Sequence, residues 1–411
     1  MKEVLKNRVL FFSSLMLSWA VVYFRRPDAF TNPQFWGEEG KYFFADAYHS
    51  GFSSLFNKCN GYFQLFPRLI ACLVKSLQIP PEYIPALYNY TWLLVFTGLL
   101  VYVWQRLKAG TVKKFFISLS LIIIPLQSEI IMNLTNVQWI FAPFLVIIFS
   151  SPQKIKTNKW FWADLLIVFF TGLTGPGCTV LIPLFIFLLY KQKNIIFQNR
   201  KQIILFTVAI GTGIVQVISL FNYGSVDRTE GAFTLLNTGF LKFFFYQYAF
   251  LLAGEFILNV PAITMIICSI VFLLLIVYLF LKIYKQRNVF GFIALTTGLL
   301  FWLASAISYR HDPGFLDPYY NGVRNFYLPS VTFIWTLIYI SSMQKQAIIL
   351  FACLMILFFI ETILFVGRTR FSDLHWKTYS AQIHAAKNLK IPINPPGWYI
   401  EIENAKKNDL H

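Results

Sequence analysis

The feature that most limits this chain is its alternation of long apolar runs with short clusters of lysine and arginine. A helix needs about 20 largely apolar residues to cross the hydrocarbon core of a bilayer. Eleven stretches approach that length: 9–24, 84–104, 115–131, 137–150, 160–174, 178–190, 202–221, 260–281, 289–307, 326–342 and 346–366. With 57% of its 411 residues hydrophobic and 13% charged, the chain has too little charge to cover a water-facing globule. The expected fold class is an all-α membrane protein of about eleven transmembrane helices. Residues 1–367 form the polytopic domain and 368–411 a small extracytoplasmic tail. The first run ends at Arg25 and Arg26 with no small-x-small site after it, so it reads as a signal anchor.

The net charge of +17 invites a nucleic-acid reading, but its distribution refutes one. Alternate loops hold Lys2, Lys6 and Arg8, then Arg106, Lys108, Lys113 and Lys114, then Lys154, Lys156 and Lys159, then Lys191, Lys193, Arg200 and Lys201, then Lys282, Lys285 and Arg287, and finally Lys345. These 18 basic residues face one acid, Glu3, and the remainder of the chain is neutral. Positive loops stay in the cytoplasm, which puts the N-terminus inside and, with an odd number of spans, the C-terminus outside. The partner implied by the excess is the lipid bilayer, not nucleic acid.

Long loops then fall outside, at 25–83, 222–259 and Tyr309–Asn325, followed by the tail. Within the second, Phe240–Phe256 reads as a helix lying in the interface, because counting it as a span would place Lys282–Arg287 outside. In the tail, Asp373–Leu389 reads as an amphipathic helix, and the segment from Ile391 to Ile402 as extended after a turn. The five cysteines are scattered, with no CxxC and no nearby His. They imply neither a disulfide framework nor a zinc site, although Cys59 and Cys72 share one stretch of chain.

The richest constellation is Phe35-Trp-Gly-Glu-Glu-Gly-Lys-Tyr-Phe-Phe-Ala-Asp46, just after the first span. Pro33 and Gly37 suit a turn, and the stretch to His49 reads as a short helix stopped by Gly51. On an α-helix Asp46 returns to the face of Glu38 and Glu39, so three carboxylates look one way. A partly desolvated carboxylate at a membrane boundary can serve as a general base, and Glu38, Glu39 and Asp46 are the catalytic candidates. A solvated acidic turn neutralised by Lys41 is the plainer alternative.

Other polar residues collect on the same side. Tyr62, Gln64 and Arg68 end the first loop, Asn133, Asn136 and Trp139 occupy the turn after the third span, and Arg310, His311, Arg324 and Tyr327 surround a later one. An arginine fork grips phosphate through paired N–H donors, so Arg68, Arg310 and Arg324 are candidates for an anionic lipid head group. Arginines at helix ends also snorkel to ordinary lipid phosphates. The inner loops carry no DxD, P-loop or dinucleotide fingerprint, so a reaction on the outer face needs a lipid-carried donor.

A signal anchor, then an outer loop with an acidic pair, then many helices joined by basic inner loops resembles the polytopic glycosyltransferases of the GT-C fold. The Trp36-Gly-Glu-Glu-Gly40 start is similar to bacterial and phage-encoded transferases that modify O-antigen or other surface polysaccharide. The resemblance implies a hexose, glucose among the candidates, moved from a polyprenyl-phosphate sugar donor to a glycan acceptor at the outer face of a bacterial inner membrane. It implies Glu38 or Glu39 as base and outer arginines on the leaving phosphate. No cofactor is expected, with a divalent metal left open, since related oligosaccharyltransferases use one.

Two other classes compete. A transporter or flippase of lipid-linked saccharide requires ionisable groups within the spans, where Asp164 and Glu361 are the ones noted, together with repeated helix units, which the sequence lacks. A non-catalytic partner of a glycan-assembly complex would tolerate changes at Glu38, Glu39 and Arg324.

Overall fold

The computed structural model describes residues 2–124, 129–150, 158–222, 242–247, 260–309, 322–341, 370–383 and 388–403, with a few single positions between them. These are mainly helical. The principal helices are α1 Lys2–Arg25, α2 Ala45–Ser50, α3 Leu65–Ser76, α4 Ile84–Arg106, α5 Thr111–Ser120, α6 Val137–Ser150, α7 Asn158–Leu173, α8 Gly177–Lys191, α9 Arg200–Phe221, α10 Ala262–Lys285, α11 Val289–Ser308, α12 Arg324–Ser341 and α13 Trp376–Ser380. Among the described residues, five segments are long and apolar enough to cross a membrane: Glu3–Arg25, Pro81–Arg106, Arg200–Phe221, Ala262–Lys285 and Val289–Ser308. Three shorter apolar helices, at Val137–Ser150, Trp160–Leu173 and Gly177–Lys191, pack among them. The expected span at 346–366 and most of the loop at 222–259 lie outside the described residues.

α6 sits at the centre. Nearly every side chain from Val137 to Ser150 is buried, which matches a helix apolar all round. α10 is the opposite case, with Ile263, Ile267, Leu274 and Leu281 turned outward as expected of a lipid-facing helix.

One expected span is corrected. The run 115–131 is not a continuous helix, because α5 stops at Ser120 after ten residues, a rise of about 15 Å. The described residues from Leu121 to Asn136 are buried but non-helical, so their carbonyls need partners from elsewhere. Arg25 Nη1 donates to Ile124 O at 2.7 Å, Arg26 Nη1 to Ile131 O at 3.0 Å and Tyr327 Oη to Leu121 O at 2.9 Å. The arginines that end the first span thus hold an irregular segment in place, which hydropathy alone could not indicate.

Contacts sort the helix ends into two sets. At one end, Asn7 meets Thr111, Lys113 Nζ donates to Tyr339 O, and Arg106 pairs with Asp164. At the other, the first loop meets the end of α7 through a bridge between Gln64 and Thr174, and the end of α9 through Gln216 Nε2 donating to Phe63 O.

Residues 242–247, within the expected Phe240–Phe256 helix, are helical; Phe243 stacks on Trp302 and Gln247 Nε2 donates to Phe326 O and Ser330 Oγ, so this part packs against α11 and α12. The reading of the tail is corrected. In the tail, among the described residues, only Trp376–Ser380 is helical. Asn388–Ile393 (β3) pairs antiparallel with Trp398–Glu403 (β4), so the segment Ile391–Ile402 is most of a hairpin, its turn included, and Leu389 belongs to a strand. Cys59, on a short hairpin strand, and Cys72, on α3, are both free and buried.

Candidate functional site

The acidic motif forms a helix where the sequence places one, but of a different kind. Glu39–Phe44 is a π-helix that runs directly into α2, and Gly51, at φ +56°, ends it. A π-turn is wider than an α-turn, so facing positions shift along it. Glu39 and Asp46 consequently look to different partners, and the expected convergence of three carboxylates is not what the segment does. Gly40 is required by a close approach, because a Cβ there would stand 2.8 Å from Ile400 Cδ1 and 2.9 Å from Ile393 Cδ1.

Glu39 points inward and is 1% exposed. Its Oε2 accepts from the Trp36 N–H at 3.0 Å, its Oε1 accepts from the Leu134 N–H, and the Thr135 N–H acts on it as well. Burial opposes the charged form more strongly than these donors and Arg26 favour it, and the carboxyl rises from 4.5 to about 7. Glu39 therefore ties the motif to the irregular segment and is half protonated near neutrality.

Glu38 is half-buried and accepts no hydrogen bond from the described residues. Its charge acts on Cys59, Glu129 and Arg324, so it lies within electrostatic reach of them. On one flank Asp46 Oδ2 meets Arg68 Nη1 at 2.7 Å and accepts from Asn57 Nδ2 at 3.1 Å. Asp46 is 30% exposed and Arg68 1%. On the other flank Glu129 Oε2 lies 3.4 Å from Arg324 Nη1, with Arg324 26% exposed. Burial, the larger influence, raises Glu129 from 4.5 to about 7 against the pull of Arg324. The Cys59 thiol is pushed up to about 12, mainly by burial and next by Glu38, so it is no nucleophile at neutral pH.

Arg68 has capacity to spare. Its Nε and Nη2 are buried and have no hydrogen-bond partner among the described residues, although a buried guanidinium ordinarily uses its donors. Such a fork fits an oxyanion. Phe43 lies under it, with the guanidinium carbon 5.4 Å from the ring centre.

The remaining candidates divide. Asn136 Nδ2 donates to Glu129 O at 2.8 Å and Asn133 Oδ1 accepts from the Asn136 N–H at 3.3 Å, so both shape the segment that carries Glu129. Asn133 Nδ2 and Trp139 Nε1 are buried without a partner among the described residues. Gln64 Nε2 donates to Gln138 Oε1, in the first turn of α6, at 3.3 Å. Tyr62 is half-buried on the short hairpin. Tyr327 is buried and its hydroxyl donates to Leu121 O at 2.9 Å. Arg310 and His311 lie outside the described residues.

Sequence reasoning missed Glu129. It sat unremarked within the run 115–131, where an acid in an apolar stretch is itself a signal. It also missed Arg26, whose Nε and Nη2 grip Asp28 at 2.9–3.2 Å beneath the motif. Among the described residues no three His, Cys, Asp or Glu side chains gather as metal ligands would. No protein-family model, curated protein or solved structure matches the chain.

Proposed function

We propose that the chain is a membrane glycosyltransferase of the GT-C type, its apolar helices crossing a bacterial inner membrane with the N-terminus inside. It moves a hexose from a polyprenyl-phosphate donor to a surface-polysaccharide or lipid-linked acceptor on the outer face. The observation that carries this reading is Glu38, a half-buried carboxylate without a hydrogen-bond partner among the described residues and within electrostatic reach of Arg324, Glu129 and Cys59, together with Arg68, whose Nε and Nη2 have no partner among the described residues.

Glu38 is the better base of the acidic pair because Glu39 is sealed in by backbone N–H groups and touches no acceptor. In the proposed step, the Glu38 carboxylate takes the hydroxyl proton as the acceptor oxygen attacks the anomeric carbon. The bond from that carbon to the phosphate oxygen breaks, and the polyprenyl phosphate leaves with the electron pair. Arg68 and Arg324 meet the charge that develops on it.

In proteoliposomes with polyprenyl-phosphate hexose and acceptor glycan, Glu38→Gln is expected to lower transfer by about 10²–10⁴-fold with unchanged thermal stability. Glu39→Gln lowers it less, and Arg68→Ala raises KM for the donor. Transfer unaffected by Glu38→Gln would sink the base assignment.

A second reading has its own support. Glu39 and Glu129 are two buried carboxylates at about 7, and groups that change protonation near neutrality suit proton-coupled movement of a lipid-linked saccharide. Glu129 also removes part of the case against transport that rested on few ionisable groups in the apolar runs. Leaflet exchange of the labelled lipid without transfer would favour this alternative.

A further inference from the structure

We infer that the C-terminal hairpin is a positioning element of the acidic motif: β3 and β4 hold Trp36–Gly40 in the one register that keeps Glu39 inward and leaves Glu38 facing the two arginine pairs. What Glu38 then does rests on the transferase reading. The placement of Glu39 does not.

The contact is a paired backbone, not a loose cover. Asn394, at the end of β3, donates its N–H to Phe35 O at 3.2 Å and accepts at its own carbonyl from the Gly37 N–H, so the two bonds bracket Trp36. The Trp36 N–H is in turn a donor to Glu39, which makes the peptide pinned by the hairpin part of that carboxylate's environment. Asn394 is itself held by its side chain, Nδ2 donating to Ser372 O at 2.9 Å and Oδ1 accepting from the Ser372 N–H at 3.0 Å.

Side chains fix the same register. Ile393 and Ile400 fill the space above Gly40, and the Trp398 ring lies 3.5 Å from where a Gly37 Cβ would be. Phe371 is wedged between the Arg26 guanidinium, 3.5 Å from its centroid, and the Trp36 ring at 4.7 Å. Phe35 meets Trp376 edge to face at 4.6 Å. The two glycines of the Trp36-Gly-Glu-Glu-Gly40 motif thus face the tail, while the acids between them face away toward the segment 121–136 and the arginines. Slippage by one residue would turn each side chain by roughly 80–100° and take the acids off those partners.

The test is a clash and its relief, read on Glu39 itself. In full-length protein, the infrared carboxyl band lost on Glu39→Gln is followed from pH 5 to 9, and in the wild type it disappears with a midpoint near 7. Gly40→Val drives methyl groups into Ile393 and Ile400. It is expected to lower the midpoint by about one unit or more, because water gained outweighs a donor lost, and to reduce kcat about tenfold with little change in donor KM. Adding Ile400→Ala restores both. Trp398→Ala, which adds no bulk, is read in the same way and serves if Gly40→Val does not fold.

An unmoved midpoint in these variants overturns the proposal, as does failure of Ile400→Ala to rescue Gly40→Val. A midpoint that moves and is rescued in a protein that transfers no sugar leaves the hairpin's role standing and defeats the transferase reading instead.

Discussion

At the lysine-rich end of the bundle, Arg106 and Asp164 close on each other at 2.6 Å, with both side chains almost out of solvent. Tyr102 bonds Asp164, Arg106 Nε reaches the Tyr102 hydroxyl, and no buried donor of Arg106 is left over. At the loop-rich end, Arg68 is as deeply buried, yet it shares one nitrogen with a partly exposed Asp46 and has two without a partner among the described residues. Arg324 and Glu129 are looser still, at 3.4 Å. The closed cluster staples α4 to α7. Arg68 carries donors that the described residues do not use, which is the condition for holding something else.

The comparison can be broken most directly through stability. Asp164→Ala leaves Arg106 buried and unpaired, and about 3–5 kcal/mol of destabilisation is expected, seen as lost folded protein or a lowered Tm in detergent. Arg324→Ala at pH 6 is expected to cost only about 1 kcal/mol, because the pair is partly exposed and Glu129 can take up a proton in place of its partner. Equal losses would mean that both ends are merely structural.

A pH series sharpens the contrast at the open end. Glu39 and Glu129 rise from 4.5 to about 7 on folding, so across that window the folded state binds more protons than the unfolded one. Stability therefore falls as pH rises from about 5 to 7, by at most about 1.4 kcal/mol per pH unit for each group. Thermal melts of Glu39→Gln and Glu129→Gln should show a shallower decline than the wild type. A Tm that instead rises with pH over this range would show that the burial of these two acids has been misjudged.

The smallest expected effect belongs to Tyr327→Phe. Loss of the bond to Leu121 O should cost about 1 kcal/mol, with donor KM and transfer unchanged. A donor KM raised severalfold would return Tyr327 to the binding residues.

Much of the helical layout was legible because it depends on local composition. Apolar runs, basic loop ends and the Gly51 stop act within a few residues of themselves, and the structure has helices at 84–104, 137–150, 202–221, 260–281 and 289–307 where those signals put them. Glu38, Glu39, Asp46 and Arg68 were legible as a neighbourhood, since charge in an acid-poor chain is conspicuous. Their division of labour was not. Glu38 and Glu39 are adjacent and chemically identical, and only the burial of one against Leu134 separates them.

By itself, then, the amino-acid sequence determined that the chain is helical, apolar and charge-segregated, and that its unusual acids follow the first apolar run. Tertiary structure alone decided that the described residues of 121–136 would abandon the helix, that Glu129 would meet Arg324 across 195 positions, and that the tail would seat itself on Gly37 and Gly40. The reason is physical. Hydrophobic periodicity is a sum over near neighbours, whereas an irregular backbone survives in an apolar setting only if distant side chains satisfy its polar groups. Here those side chains are Arg25, Arg26 and Tyr327, from opposite ends of the chain.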